Sequence, residues 1–158
     1  MTNSIQLSGA AFDSLEAMML AHAEAAVRTA AEDHGMTLDY SPESVARLET
    51  ILAARSPMAE ADLDEAVRMW GAYFGEVFRH RYAADWVMAV YPRQPGAEPL
   101  SPNPDVAMPA LDIGGSHVYP LLKVFRRLTI GPSEDLAGFY TRVSRALDEH
   151  KARAEEKP

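Results

Sequence analysis

Two pairings of a carboxylate with an imidazole are the combinations in this sequence best suited to proton chemistry. Glu76 and His80 stand four apart in WGAYFGEVFRHR, residues 70–81, and share a face if that stretch is helical. Asp112 and His117 flank Gly114-Gly115 in LDIGGSHV, where a two-residue turn sets them opposite each other on neighbouring strands. An imidazole beside a carboxylate can shuttle a proton, its protonated form favoured by the negative neighbour. Arg126 and Arg127 in LLKVFRRL add cations suited to an anionic group, as do Lys123 and the Arg79/Arg81 pair. Glu76, His80, Asp112, His117, Arg126 and Arg127 therefore form the candidate binding set.

Each of these residues also has a purely structural use. Glu76 is the single charge between Arg68 and Arg79, and a carboxylate in such apolar surroundings requires a partner. Asp112 and His117 can simply stabilise a hairpin as an opposite-charge pair. A hydrolytic triad needs a nucleophile, and no GxSxG elbow accompanies either pair. The histidines at 22, 34, 80, 117 and 150 lack HExxH spacing, so no metal is expected. Neither GxxxxGK[ST] nor GxGxxG occurs, so no nucleotide cofactor is expected. The absence of cysteine excludes disulfides, thiol catalysis and thiolate metal sites. No catalytic residue is assigned.

The elements that position these groups follow from periodicity. FDSLEAMMLAHAEAAVRTAAEDHG reads as a helix with Phe12, Leu15, Met19, Ala23, Ala26 and Ala30 near one face, Asp13 and Glu16 at capping-box spacing, and Gly35 at its end. YSPESVARLETILAAR starts a second helix with Ser41 as N-cap and Pro42 in the first turn. A third opens at Ser56-Pro57 and carries an apolar row through Leu63, Val67, Trp70, Phe74, Val77 and Phe78. Beside that row sit Gly71 and Gly75, each costing about 1 kcal/mol relative to alanine. Their spacing predicts a shallow groove that receives another helix or strand. DWVMAVY alternates as a strand, and PALDIGGSHVYP reads as a hairpin with strands 111–113 and 116–119. Residues 92–109, with six of the eleven prolines, read as a loop suited to recognition. LLKVFRRL is a short amphipathic helix with Leu121, Leu122, Phe125 and Leu128 inward and Lys123, Arg126 and Arg127 off the stripe. A last helix starts at Gly131-Pro132-Ser133, followed by a charged flexible tail, 151–158.

A chain of 158 residues, 47% hydrophobic, suits one domain over 1–150. Its net charge of −8 argues against general nucleic-acid binding, which rests on a basic surface. No apolar run approaches the ~18 residues of a bilayer span, and the first ten residues lack a signal-peptide pattern, so a cytoplasmic protein is expected.

LDYSPESVARLETIL (38–52), WGAYFGEV (70–77), DWVM (85–88), VYPLLKVFRRLTIG (118–131) and LAGFY (136–140), in that order, resemble a group of uncharacterised bacterial proteins classed as domains of unknown function. Such proteins combine a GxYxGEV-type helix, a tryptophan strand and a PxxxVxxRLxxG segment followed by a helix. The resemblance marks Gly71, Tyr73, Gly75, Glu76, Trp86, Pro120, Arg127 and Gly131 as signature positions. It implies a pairing of Glu76 with Arg127 and assigns no activity.

The expected fold is α+β: an amino-terminal helical layer and the Gly71/Gly75 helix packed on an antiparallel sheet of about three strands, with carboxy-terminal helices. The expected function is a non-catalytic protein-interaction module, such as an inhibitor, immunity-type or adaptor protein, acting on an unidentified protein partner through the sheet face and the 92–109 loop. The alternative is a small hydrolase or anionic small-molecule binder using Glu76/His80 or Asp112/His117. A homodimer formed through the first helix is compatible with either.

Overall fold

A short antiparallel pair, β1 (Ile5–Leu7) and β2 (Ala10–Phe12), precedes the helices in the computed structural model, which describes residues 5–7, 10–91 and 107–156. Phe12 therefore ends a strand instead of starting the first helix. The helix itself, α1 (Leu15–His34), is capped by Ser14, not Asp13: the Ser14 Oγ accepts from the Ala17 N–H at 3.0 Å. It closes at Gly35, whose φ of 62° is the left-handed conformation that glycine adopts without cost. α2 (Ser44–Arg55) follows a turn that begins at Ser41. The Ser41 Oγ does accept from the Ser44 N–H, at 3.2 Å, but the chain turns once more before the helix proper. α3 (Glu60–Arg79) starts after the Ser56-Pro57 step, and Ser56 instead ends α2.

The sheet is β3 (Asp85–Ala89), β4 (Met108–Ile113) and β5 (Ser116–Val118), antiparallel throughout in the order β3-β4-β5. Gly114 and Gly115, with φ of 59° and 90°, make the tight turn that sets Asp112 opposite His117 and Ile113 opposite Ser116. Met108 and Pro109, expected in the loop, belong to β4 and pair with Ala89 and Met88. The rest of that expected loop, 92–106, lies outside the described residues. α4 (Pro120–Thr129) leads through a single 3-10 turn to α5 (Leu136–Glu156), whose start is fixed by Asp135 accepting from the Gly138 N–H at 2.7 Å. Residues 151–156 continue α5, with 151–155 exposed.

The architecture is thus α+β, with five helices among the described residues and one three-stranded antiparallel sheet. α3 lies at its centre, with Trp70, Tyr73, Phe74 and Phe78 fully buried. α1 packs chiefly against it through Met19, Ala23, Ala26 and Ala30, small residues that let the two backbones approach. The Gly71/Gly75 groove on α3 receives both a helix and a strand. A Cβ on Gly71 would stand 2.7 Å from the Leu121 Cγ and 2.8 Å from its Cα, and one on Gly75 would run into the indole of Trp86. α4 touches α2, α3, β4 and α5, which enclose two of its polar positions. Lys123 and Arg127, expected off the apolar stripe, are buried.

Candidate functional site

Glu76 is 3% exposed, and among the described residues its hydrogen bonds come from the α3–β3 junction. Its Oε2 accepts from the Trp86 indole Nε1 at 2.7 Å and from the Arg79 guanidinium at 3.0 Å. Arg79 also donates to the Ala84 carbonyl at 3.2 Å and to Glu16 at 2.6 Å, so one guanidinium joins α1, α3 and the turn into β3. Burial alone would lower the Arg79 pKa, but its hydrogen bonds to and charge attraction by Glu16 and Glu76 together outweigh that and hold it above its ordinary value.

The expected pairing of Glu76 with Arg127 is not formed. Arg127 Nε donates to Glu49 on α2 at 2.6 Å, and the other Glu49 oxygen accepts from the Leu136 N–H at 2.6 Å. The reason is geometric: α4 meets α3 through Leu121 at Gly71, and Arg127 lies six residues on, about 9 Å along the axis, where α2 is the neighbour. Arg127 is buried and Glu49 half-buried, and the two are paired as a charge in such surroundings requires.

His80 lies flat against Tyr40, with ring centroids 4.4 Å apart and planes 4° from parallel. Tyr40 stacks in turn on Tyr73 at 4.9 Å, and its own backbone N–H donates to the Tyr73 hydroxyl at 2.9 Å. Holding this position costs Tyr40 a left-handed φ of 64°, unusual for a bulky residue. Burial, with Tyr73 and Glu76 adding, pushes the Tyr40 phenol up to about 12. Glu76 and His80 border one open depression of about 450 Å³ with Arg79 and Tyr82, yet among the described residues no hydrogen bond joins the two. No acid-base pair is assembled there.

The hairpin pair fares similarly. Asp112 and His117 are in register as expected, but the Asp112 Oδ1 accepts from the Gly115 N–H at 2.9 Å and so caps the turn. His117 is exposed and meets Tyr119 edge to face at 6.2 Å.

Two of the expected site residues do come together elsewhere. His117 on β5 and Arg126 on α4 border a cleft of about 670 Å³ whose opposite wall is α5. Arg126 lies over the Tyr91 ring at 5.5 Å, and Tyr91 is edge-on to Tyr119 at 5.0 Å. Lys123 lies over the Phe139 ring at 5.2 Å while its Nζ pairs with Glu134 at 2.7 Å. Burial, with Tyr91 adding, raises the Tyr119 pKa. From α5 come Phe139, Val143 and Leu147, then His150 and Arg153, successive members of one helix face. Among the described residues the lining contains no Asp or Glu. Among the described residues neither Arg126 nor Arg153 forms an ion pair, in contrast to Arg47, Arg79, Arg81 and Arg127. This cleft presents Arg126 and Arg153 over apolar and aromatic walls, and a bound anion would meet these two without a competing carboxylate among the described residues.

His150 and Arg153 were not singled out from sequence, although the spacing 139, 143, 147, 150 carries the stripe directly to them. Ending the helix at residue 150 left Arg153 outside that stripe. Among the described residues no group of three or more His, Asp or Glu is placed to hold a metal ion, and no helix is long and apolar enough to cross a membrane. Compared with protein-family models, curated proteins and solved structures, the chain matches none.

Proposed function

We propose that this chain is a non-catalytic interaction module whose working surface is the cleft between β5, α4 and α5. Arg126 and Arg153, with His117 and His150, hold an anionic group of the ligand there. The observation that carries this reading is the convergence of these side chains on a cleft with no lining carboxylate among the described residues, in a protein of net charge −8. The hydrolase alternative loses its support, because Glu76 is engaged by Trp86 and Arg79 and Asp112 by its own turn. A cytoplasmic setting and kinship with the uncharacterised bacterial group belong to the same proposal. The signature positions of that group serve packing here, and Arg126, His117, His150 and Arg153 lie outside them.

The test is thermal unfolding with citrate, inorganic phosphate and polyglutamate. An anion present at a hundred times its Kd stabilises by about 2.7 kcal/mol. The melting temperature should rise for wild type and for an Arg55→Glu control, and stay flat for an Arg126→Glu/Arg153→Glu double variant. Equal responses of the three proteins would remove the cleft as the binding surface.

A further inference from the structure

We infer that the occupant of this cleft is a short acidic segment of a partner protein carrying an apolar side chain; the inference rests on the cleft being the working surface. The α5 wall runs from Phe139 to Arg153, about 21 Å at the helical rise per residue. That length accommodates about six residues of an extended chain. The cations are distributed along it instead of gathered at one point. Arg126 stands on the α4 wall and Arg153 at the far end of α5, with the imidazoles of His117 and His150 as further polar groups, while the Lys123 charge is already held by Glu134. A lone small anion needs clustered donors, whereas spaced cations match spaced carboxylates. Between them lie Val143 and Leu147, half-buried and open to the cleft, which suit an aliphatic or aromatic side chain of the segment.

A single nucleic-acid strand is the competing occupant, since it too seeks cations and rings. The rings argue against it. Arg126 already covers a face of Tyr91 and Lys123 a face of Phe139, and Tyr119 is itself buried, so base-stacking platforms are largely taken. The overall charge of −8 also repels a polymer with one charge per nucleotide more than a segment bearing a few carboxylates.

The test uses the full chain and a fluorescein-labelled peptide of sequence EELFEE, read by anisotropy. Its controls are QQLFQQ, EESSEE and a labelled oligothymidylate of similar length. EELFEE should bind about tenfold or more tighter than either control peptide, weaken with added salt, and lose about tenfold with Arg126→Glu and separately with the exposed Arg153→Glu. Equal binding of QQLFQQ or EESSEE would overturn the inference, as would tighter binding of the oligothymidylate with the same arginine dependence. If citrate or phosphate stabilises the protein through Arg126 and Arg153 while EELFEE does not bind, the acidic segment is refuted and the anion-binding surface stands. If neither anions nor peptides respond to these arginines, the surface itself is refuted.

Discussion

Replacing Glu76 by alanine removes the group on which α3, β3 and, through Arg79, α1 converge. The Trp86 indole N–H, now bonded at 2.7 Å, loses its acceptor in a residue 8% exposed. A buried donor left without a partner costs about 1–3 kcal/mol. Arg79 keeps Glu16 and its bond to Ala84, and its side chain is 18% exposed, so its loss is at the lower end for a charge deprived of a partner. Together these give about 3 kcal/mol, which for a domain of this size lowers the melting temperature by about 6–12 °C. Glu76→Gln keeps an oxygen for the indole and should lose about half as much, about 1–2 kcal/mol. Urea unfolding followed by tryptophan fluorescence measures both variants, with the Trp86 environment as a direct reporter. An alanine variant as stable as wild type, or a glutamine variant less stable than the alanine one, would refute the view of Glu76 as a structural node.

Gly71→Ala and Gly75→Ala should each destabilise by about 1–3 kcal/mol despite alanine's higher helix propensity, because Leu121 and Trp86 occupy the space of the new methyl groups; denaturant midpoints check this. Glu49→Ala strips both Arg127 and the Leu136 N–H of their partner and should cost about 3–5 kcal/mol, measured by chemical unfolding. Stability should fall as pH rises above 10. The phenols of Tyr40, Tyr73, Tyr82 and Tyr119 are all held above their ordinary value of 10.0, chiefly by burial, so the unfolded chain ionises first. For Tyr40 that contribution is whole below pH 10 and is lost as pH climbs through about 12; Tyr40→Phe, which keeps the stack on His80, should make the alkaline loss shallower in a pH series of thermal melts.

The α3 glycines were legible because a costly residue repeated at helical spacing demands a close neighbour, and the structure supplies Leu121 and Trp86. The hairpin register was legible for a similar reason, since a Gly-Gly turn allows little else. The partner of Glu76 was not. Sequence identifies a buried carboxylate and nearby arginines but carries no distances, and Arg79, one turn away on the same helix, closes the pair before Arg127 can reach it. Lys123 and Arg127 lie off the apolar stripe of their helix yet are buried, because a single helix's stripe does not reveal how many neighbours enclose the helix. The cleft was hidden twice over: its walls come from segments distant in sequence, and Arg153 sits on a helical turn beyond the expected end of the domain.

Proton and nitrogen shift mapping of the full chain during a titration with polyglutamate tests the central claim most directly. Saturable shifts should concentrate on His117, the Arg126 Nε, His150 and Arg153, and leave the Glu76, Arg79 and Trp86 node unmoved. Shifts centred on the depression around His80 and Tyr82, or none that saturate, would contradict it.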